Sequence, residues 1–268
     1  MTIKFGTISV EVRNYCSLLI ELTKREFSKS HHGTIGGVFW PLGEPLSMLV
    51  IYTVFFGVIL QGRWGFSGTP LEYGFALFSG LIIFNFFAEC FRQFPLLISA
   101  NPNYVKKIVF PLELLPVVTI LTALIHALIA TAIWCAGYAI LIGFPKWTAL
   151  ISPLILLSMI PMLLALGWAL SVIGLLTKDI NQVTGLLIQA LLFLTPIFYG
   201  LDIVPENLKF WIRLNPLTYL VEQFRLMLIY GVMPGLRGLA VFILFSSVLA
   251  GLAYFLFRRV RSTFTDLI

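Results

Sequence analysis

Few side chains in this sequence have the type and spacing to do chemistry, and the most suggestive are charges set in apolar runs. Glu89 and Arg92 stand one helical turn apart near the end of such a run, and Glu44 stands early in another. A carboxylate and a guanidinium three residues apart share one helix face, so they either neutralise each other as a structural ion pair or form a polar way into a pathway. In the second case Arg92 would meet an anionic substrate group. His31 and His32 adjoin the first apolar run, and His126 lies inside a later one as a hydrogen-bonded packing residue rather than a proton relay. None has metal-ligand spacing to another histidine or to a cysteine. Cys16, Cys90 and Cys135 are odd in number and far apart, which fits small apolar fillers rather than a disulfide framework or a metal site. There is no GxxxxGK[ST] phosphate loop, no HExxH and no GxSxG. The expectation is a chain that catalyses nothing alone and binds no cofactor or metal.

The elements that must hold these residues follow from hydropathy. At 59% hydrophobic and 11% charged, with a mean hydropathy of +0.97, the composition is that of a polytopic membrane protein. The apolar runs predict an all-α fold with six transmembrane helices at 39–60, 74–98, 114–142, 150–176, 183–201 and 239–257, each roughly 19 to 29 residues and long enough for a bilayer core. Residues 1–34 form an N-terminal cytoplasmic segment with an amphipathic interfacial helix, 35–260 the membrane domain and 261–268 a tail. No pattern of a removed signal peptide precedes them. Twelve of the 18 Lys and Arg residues fall on one side when both termini are placed in the cytoplasm, which orients the chain N-in and C-in in the cytoplasmic membrane. The net charge of +6 then belongs to a cytoplasmic face, not to nucleic-acid binding.

Three segments outside the spans carry pattern. Over residues 8–29, Ile8, Val12, Tyr15, Leu19 and Leu22 recur at helical spacing opposite Glu11, Glu21, Lys24, Arg25 and Lys29. Such a helix lies on the membrane as an anchor or as a surface for a partner. The 101–111 loop opens on a turn, runs about two helical turns and stops at Pro111, presenting Tyr104, Ile108 and Val109 or Phe110 beside Lys106 and Lys107, as an amphipathic helix does when it docks; a plain basic loop that fixes topology is the alternative. After Pro196 and Pro205 break the fifth span, Leu208, Phe210, Trp211, Ile212 and Leu214 mix with Glu206, Lys209 and Arg213. A second half-apolar stretch then carries Glu222 and Arg225. Two short amphipathic helices before the last span gate or line a path, and Phe198, Tyr199, Trp211 and Tyr219 cluster at that outer gate.

Lys24-Arg25-Glu26-Phe27 with Gly37, Trp40 and Pro45, then Tyr104 to Glu113 with Pro116, then Lys178-Asp179, Thr195-Pro196-Ile197-Phe198-Tyr199 with Pro205, and Asn215-Pro216, follow one another in an order and spacing that resembles the type-2 ABC transporter permeases. The chain is most similar to those that export lipid-linked O-antigen and teichoic-acid polysaccharides. The resemblance implies that Tyr104, Lys106, Lys107, Ile108 and Phe110 form a coupling helix seated on a separate ATP-binding subunit, which would use the ATP and Mg that this chain does not bind. It also implies a homodimer of permeases with two ATPase copies, and an undecaprenyl-diphosphate-linked glycan as cargo, with residues 203–230 as outer gate helices.

Members of that family often carry a basic, tyrosine-rich run before span one. Here the stretch is Ser28-Lys29-Ser30-His31-His32-Gly33, which leaves Arg25, Lys29 and Arg92 as candidates for diphosphate contact or substrate entrance. The alternatives are an exporter of a small lipid or drug within the same superfamily, and a membrane-embedded transferase acting on the same lipid carrier. The transferase would need an acid, base or metal motif.

Overall fold

The computed structural model describes residues 5–29, 39–59, 70–105, 110–177, 179–261 and 264. Among the described residues the structure is all helix and turn, with no strand. In chain order the helices are α1 (Phe5–Lys29), α2 (Trp40–Tyr52, continued by a π-helical stretch Thr53–Ile59), α3 (Pro70–Gln93), the single turn α4 (Pro102–Val105) and α5 (Leu114–Leu141). After them come α6 (Pro153–Ser158), α7 (Ile160–Leu176), α8 (Ile180–Leu194), α9 (Glu206–Leu214), α10 (Pro216–Arg225) and α11 (Leu236–Val260).

Four stretches are long and apolar enough to cross a membrane: Leu71–Leu96, Leu114–Leu141, Trp147–Leu176 and Leu236–Val260; Trp40–Phe56 and Ile180–Leu194 are shorter apolar helices. One break inside an expected span and one early end have the same cause. The run expected at 150–176 is divided at Met159 between α6 and α7, because Pro161 cannot donate to the preceding turn. The run expected to reach residue 201 stops at Leu194, and Thr195 is already extended with Pro196 next in line.

The core lies along α3, whose apolar window is 89% buried, against 22% for α11. Helix α3 packs against α5, α8 and α10, α7 packs against α11, and α1 lies on α5. Trp134 is fully buried, donates Nε1–H to the Phe75 carbonyl at 2.8 Å and stacks on Tyr138, which fastens α5 to α3 where an indole would otherwise bury an unsatisfied donor. Gly174 allows a close approach: a Cβ there would sit 2.1 Å from the Pro95 carbonyl oxygen, so α7 meets the end of α3 only because residue 174 has no side chain. The outward faces of α2 and α11 keep Leu46, Ile51, Phe55, Leu244, Phe245 and Phe255 exposed, as a bilayer solvent permits.

Candidate functional site

Residues singled out in the sequence gather at the two ends of the helical body. At one end α4 makes a single turn and the chain returns at Phe110. The Tyr104 and Phe110 rings stack at 4.3 Å between centroids, half-buried against the core, so these two residues bring the chain together as an elbow. Lys106, Lys107 and Ile108 lie outside the described residues. Arg25 Nη1 of α1 donates to the Tyr104 hydroxyl at 3.1 Å. On the returning side, Arg261 Nη1 reaches both Glu113 oxygens at 2.8 and 3.0 Å while its Nη2 donates to the Phe110 carbonyl at 2.9 Å. A fork bonded to a carboxylate and a carbonyl together fixes geometry as a single ammonium would not. Helix α1, through Arg25, and the end of α11, through Arg261, therefore meet the elbow at the same end of the molecule. A cavity of about 400 Å³ opens there, walled by Leu22, Arg25, Glu26, Gln93, Asn101 and Tyr104.

A second cavity of about 480 Å³ adjoins it across Gln93 and holds the charges that the sequence places in spans: Glu44, Glu89 and Arg92, with Asn85, His126 and Trp40. The expected Glu89–Arg92 pair is not formed. Glu89 faces His126 instead, with Nδ1 at 3.0 and 3.1 Å from the carboxylate oxygens, and His126 in turn packs on Phe27 of α1 at 5.3 Å. The reason is packing: α5 lies against α3 on the Glu89 side, whereas Arg92 is exposed and, among the described residues, has no ion-pair partner. Of the three candidate anion contacts, Arg25 lines the first cavity and Arg92 the second; the Lys29 side chain lies outside the described residues.

At the opposite end, two proline turns are joined. Asn215 caps α10 by accepting from Leu217 N at 3.0 Å and donates through Nδ2 to Thr195 Oγ1 at 2.9 Å, and Thr218 Oγ1 donates to the Ile212 carbonyl at 2.7 Å. Arg225, at the end of α10, is buried. It gives Nε to the Ala76 carbonyl at 3.3 Å, Nη1 and Nη2 to the Pro196 carbonyl at 3.2 and 3.3 Å, and Nη2 to the Ile197 carbonyl at 3.4 Å. The carbonyls of the turn that follows α8 are thus met by a charged fork from α10.

The four aromatics expected together do not share one site. Phe198 packs between Phe56 at 5.6 Å and Phe193 at 6.2 Å, and its carbonyl accepts from the Tyr73 hydroxyl at 3.1 Å. Tyr199 donates to the Phe193 carbonyl at 2.8 Å. Trp211 stands exposed on α9 beside Phe210. Tyr219 turns towards α11, donating to the Gly235 carbonyl at 3.0 Å. They separate because α9 and α10 pivot at Asn215-Pro216 and face different neighbours. On α9, Lys209 lies 2.6 Å from Glu206 and holds that carboxyl below its usual range, leaving Leu208, Phe210, Trp211 and Leu214 as an exposed apolar face.

The model of the ABC-2 type transporter family matches residues 17–229, which takes in α3, the elbow and both proline turns. The chain belongs to the ABC-2 type transporters. Among relatives, this transporter chain is 23% identical to the O-antigen export system permease protein RfbA of Myxococcus xanthus, over 96% of this chain and 97% of that protein. It is 21% identical to the RfbA of Klebsiella pneumoniae, over 94% and 95%, and 27% identical to the polysialic acid transport protein KpsM of Escherichia coli, over 74% of each. Two residues central to the transporter's geometry, Arg225 and Arg261, enter the sequence reading only as unassigned charges. The signal for Arg225 is a charge between Phe224 and Leu226 in a stretch with few others; Arg261 carries none beyond its place after Arg258 and Arg259.

Proposed function

We propose that this chain is the permease of an exporter that moves a polysaccharide linked to undecaprenyl diphosphate, O-antigen in the first instance, across the cytoplasmic membrane. It works as a homodimer with two copies of a separate ATPase subunit that bind ATP and Mg. Six spans, both termini in the cytoplasm, and the domain limits 35–260 belong to the same reading. The observation that carries it is similarity to O-antigen export permeases over nearly the whole of both chains. Physical support comes from the division of features between the two ends: an elbow tied to both α1 and α11, and an outer turn built on prolines. In this reading the elbow with Tyr104 and Phe110 couples to the ATPase. Arg25 and Arg92, each on a polar cavity at the elbow end, meet the diphosphate, and Phe198 and Tyr199 close the outer path when it is empty. The relation to KpsM favours a second cargo, an acidic polymer such as polysialic acid.

Deleting the gene and comparing surface-labelled with total lipid-linked polysaccharide tests this directly. Polymer made but retained inside supports export, and its sugar analysis separates O-antigen from an acidic polymer. An unchanged surface points to a small-lipid exporter, and loss of synthesis to a transferase. Tyr104→Ala and Phe110→Ala are each expected to leave ATP hydrolysis running while export falls; normal export by both would remove the coupling assignment.

A further inference from the structure

We propose that α11 is a strut carrying movement of the elbow to the outer helix α10, with Arg261 and Tyr219 as the positioning residues at its two ends. The proposal rests on the exporter reading, in which the elbow receives the stroke of the ATPase.

At the elbow end the attachment is built from three elements. Arg261 holds the Glu113 carboxylate and the Phe110 carbonyl, and the Glu113 carbonyl accepts from Trp168 Nε1 of α7 at 3.2 Å. The Trp168 ring meets Tyr254 of α11 edge-on at 5.0 Å, and the Arg258 guanidinium lies 5.8 Å over that same tyrosine ring. Beyond Arg261 the chain is pinned again where Phe264 packs on Phe257 at 5.4 Å, both fully buried. Glu113 is the point where the elbow, α7 and α11 are joined, and its carboxylate is well covered, at 12% exposure against 34% for its arginine partner. An ion pair that is screened little from one side transmits position better than a solvated surface pair.

At the far end, α11 is attached to α10 through the residue that caps it. Tyr219 donates to the Gly235 carbonyl at 3.0 Å, Gln223 accepts from the Gly235 amide at 2.8 Å, and a Cβ at Gly238 would lie 2.7 Å from the Tyr219 oxygen. Between the two attachments α11 runs unbroken through 25 residues with no proline, about 37 Å at the helical rise. Its window is only 22% buried and its main neighbour is α7. An unbroken helix fixed at both ends and held along one side moves as a rod, whereas α3, 89% buried, cannot shift without repacking the core.

The test uses the full complex of permease and cognate ATPase in proteoliposomes, with ATP hydrolysed and lipid-linked glycan translocated measured together. Arg261→Ala and Tyr219→Phe are each expected to lower glycan moved per ATP at least fivefold. Arg261→Lys, which keeps the charge and loses the fork, should recover part of it. An unchanged ratio in Arg261→Ala, including one in which both rates fall together with the amount of complex, overturns the proposal. A second readout needs no cargo: nitroxide labels at Phe210→Cys and Leu244→Cys, on a Cys16→Ser background, report the outer end during nucleotide trapping. The label distance should change in the otherwise unaltered protein and stay fixed in Arg261→Ala. A change that survives Arg261→Ala, or none in either protein, overturns the strut. A complex that hydrolyses ATP and moves no glycan refutes the exporter reading instead, and the labels still decide the strut.

Discussion

Replacing Arg225 by methionine would preserve most of the side chain's bulk while removing every donor it gives to the carbonyls of Ala76, Pro196 and Ile197. Those oxygens are buried, so the cost should be set by desolvation, about 2–4 kcal/mol, and should appear as a lower midpoint in thermal unfolding of the detergent-purified protein. Arg225→Lys should recover less than half of that loss, because one ammonium cannot reach three carbonyls. Asn215→Ala removes both the cap of α10 and the bond to Thr195, with an expected loss of about 1–2 kcal/mol in the same measurement. Thr195-Pro196 and Asn215-Pro216 were legible in the sequence as two motifs; that they bond to each other was not, since twenty residues separate them and nothing in local pattern specifies which carbonyls a buried guanidinium will find. The Glu89–His126 contact was hidden for the same reason. Helical spacing relates Glu89 to Arg92 within α3, but only the packing of α5 brings a histidine 37 positions away to the carboxylate.

Helix ends and close approaches decide how α7 and α8 can be altered. Gly174→Ala would place a methyl within 2.1 Å of the Pro95 backbone oxygen, which cannot rotate away, so α7 must shift. We expect at least about 2 kcal/mol of destabilisation, seen as loss of monodisperse protein on fluorescence-detected size exclusion. Gly185→Ala is the opposite case, because nothing lies within 4 Å of the added carbon and α8 gains helix propensity of up to about 1 kcal/mol. In the isolated chain the midpoint should therefore rise. If the proposed homodimer forms and covers this face of α8 tightly, the same substitution should instead shift the protein from dimer to monomer on cross-linking. Sequence pattern located these helices well and their limits less well: the 150–176 span holds within Trp147–Leu176, but the pattern did not show its change of helix at Met159, and it ran the fifth span to residue 201 although Pro196 stood inside it. Apolar composition continues through such breaks, while the hydrogen-bond ladder does not.

The architecture as a whole was the most legible level, because a chain with a mean hydropathy of +0.97 has few ways to satisfy its backbone except as membrane helices. Which of those helices forms the centre was not legible, since α3 and α11 read alike in composition and differ fourfold in burial. Helix α8 has a further consequence. Its 15 residues cover about 22 Å, whereas the hydrocarbon layer of a bilayer is about 30 Å thick. With the chain turning back at Thr195 and its carbonyls met internally by Arg225, acyl chains beside α8 must shorten or tilt to keep their ends dry. The protein would then carry its own dent in the bilayer, gathering short or disordered lipids around α8 and lowering locally the thickness that any long polar cargo has to cross.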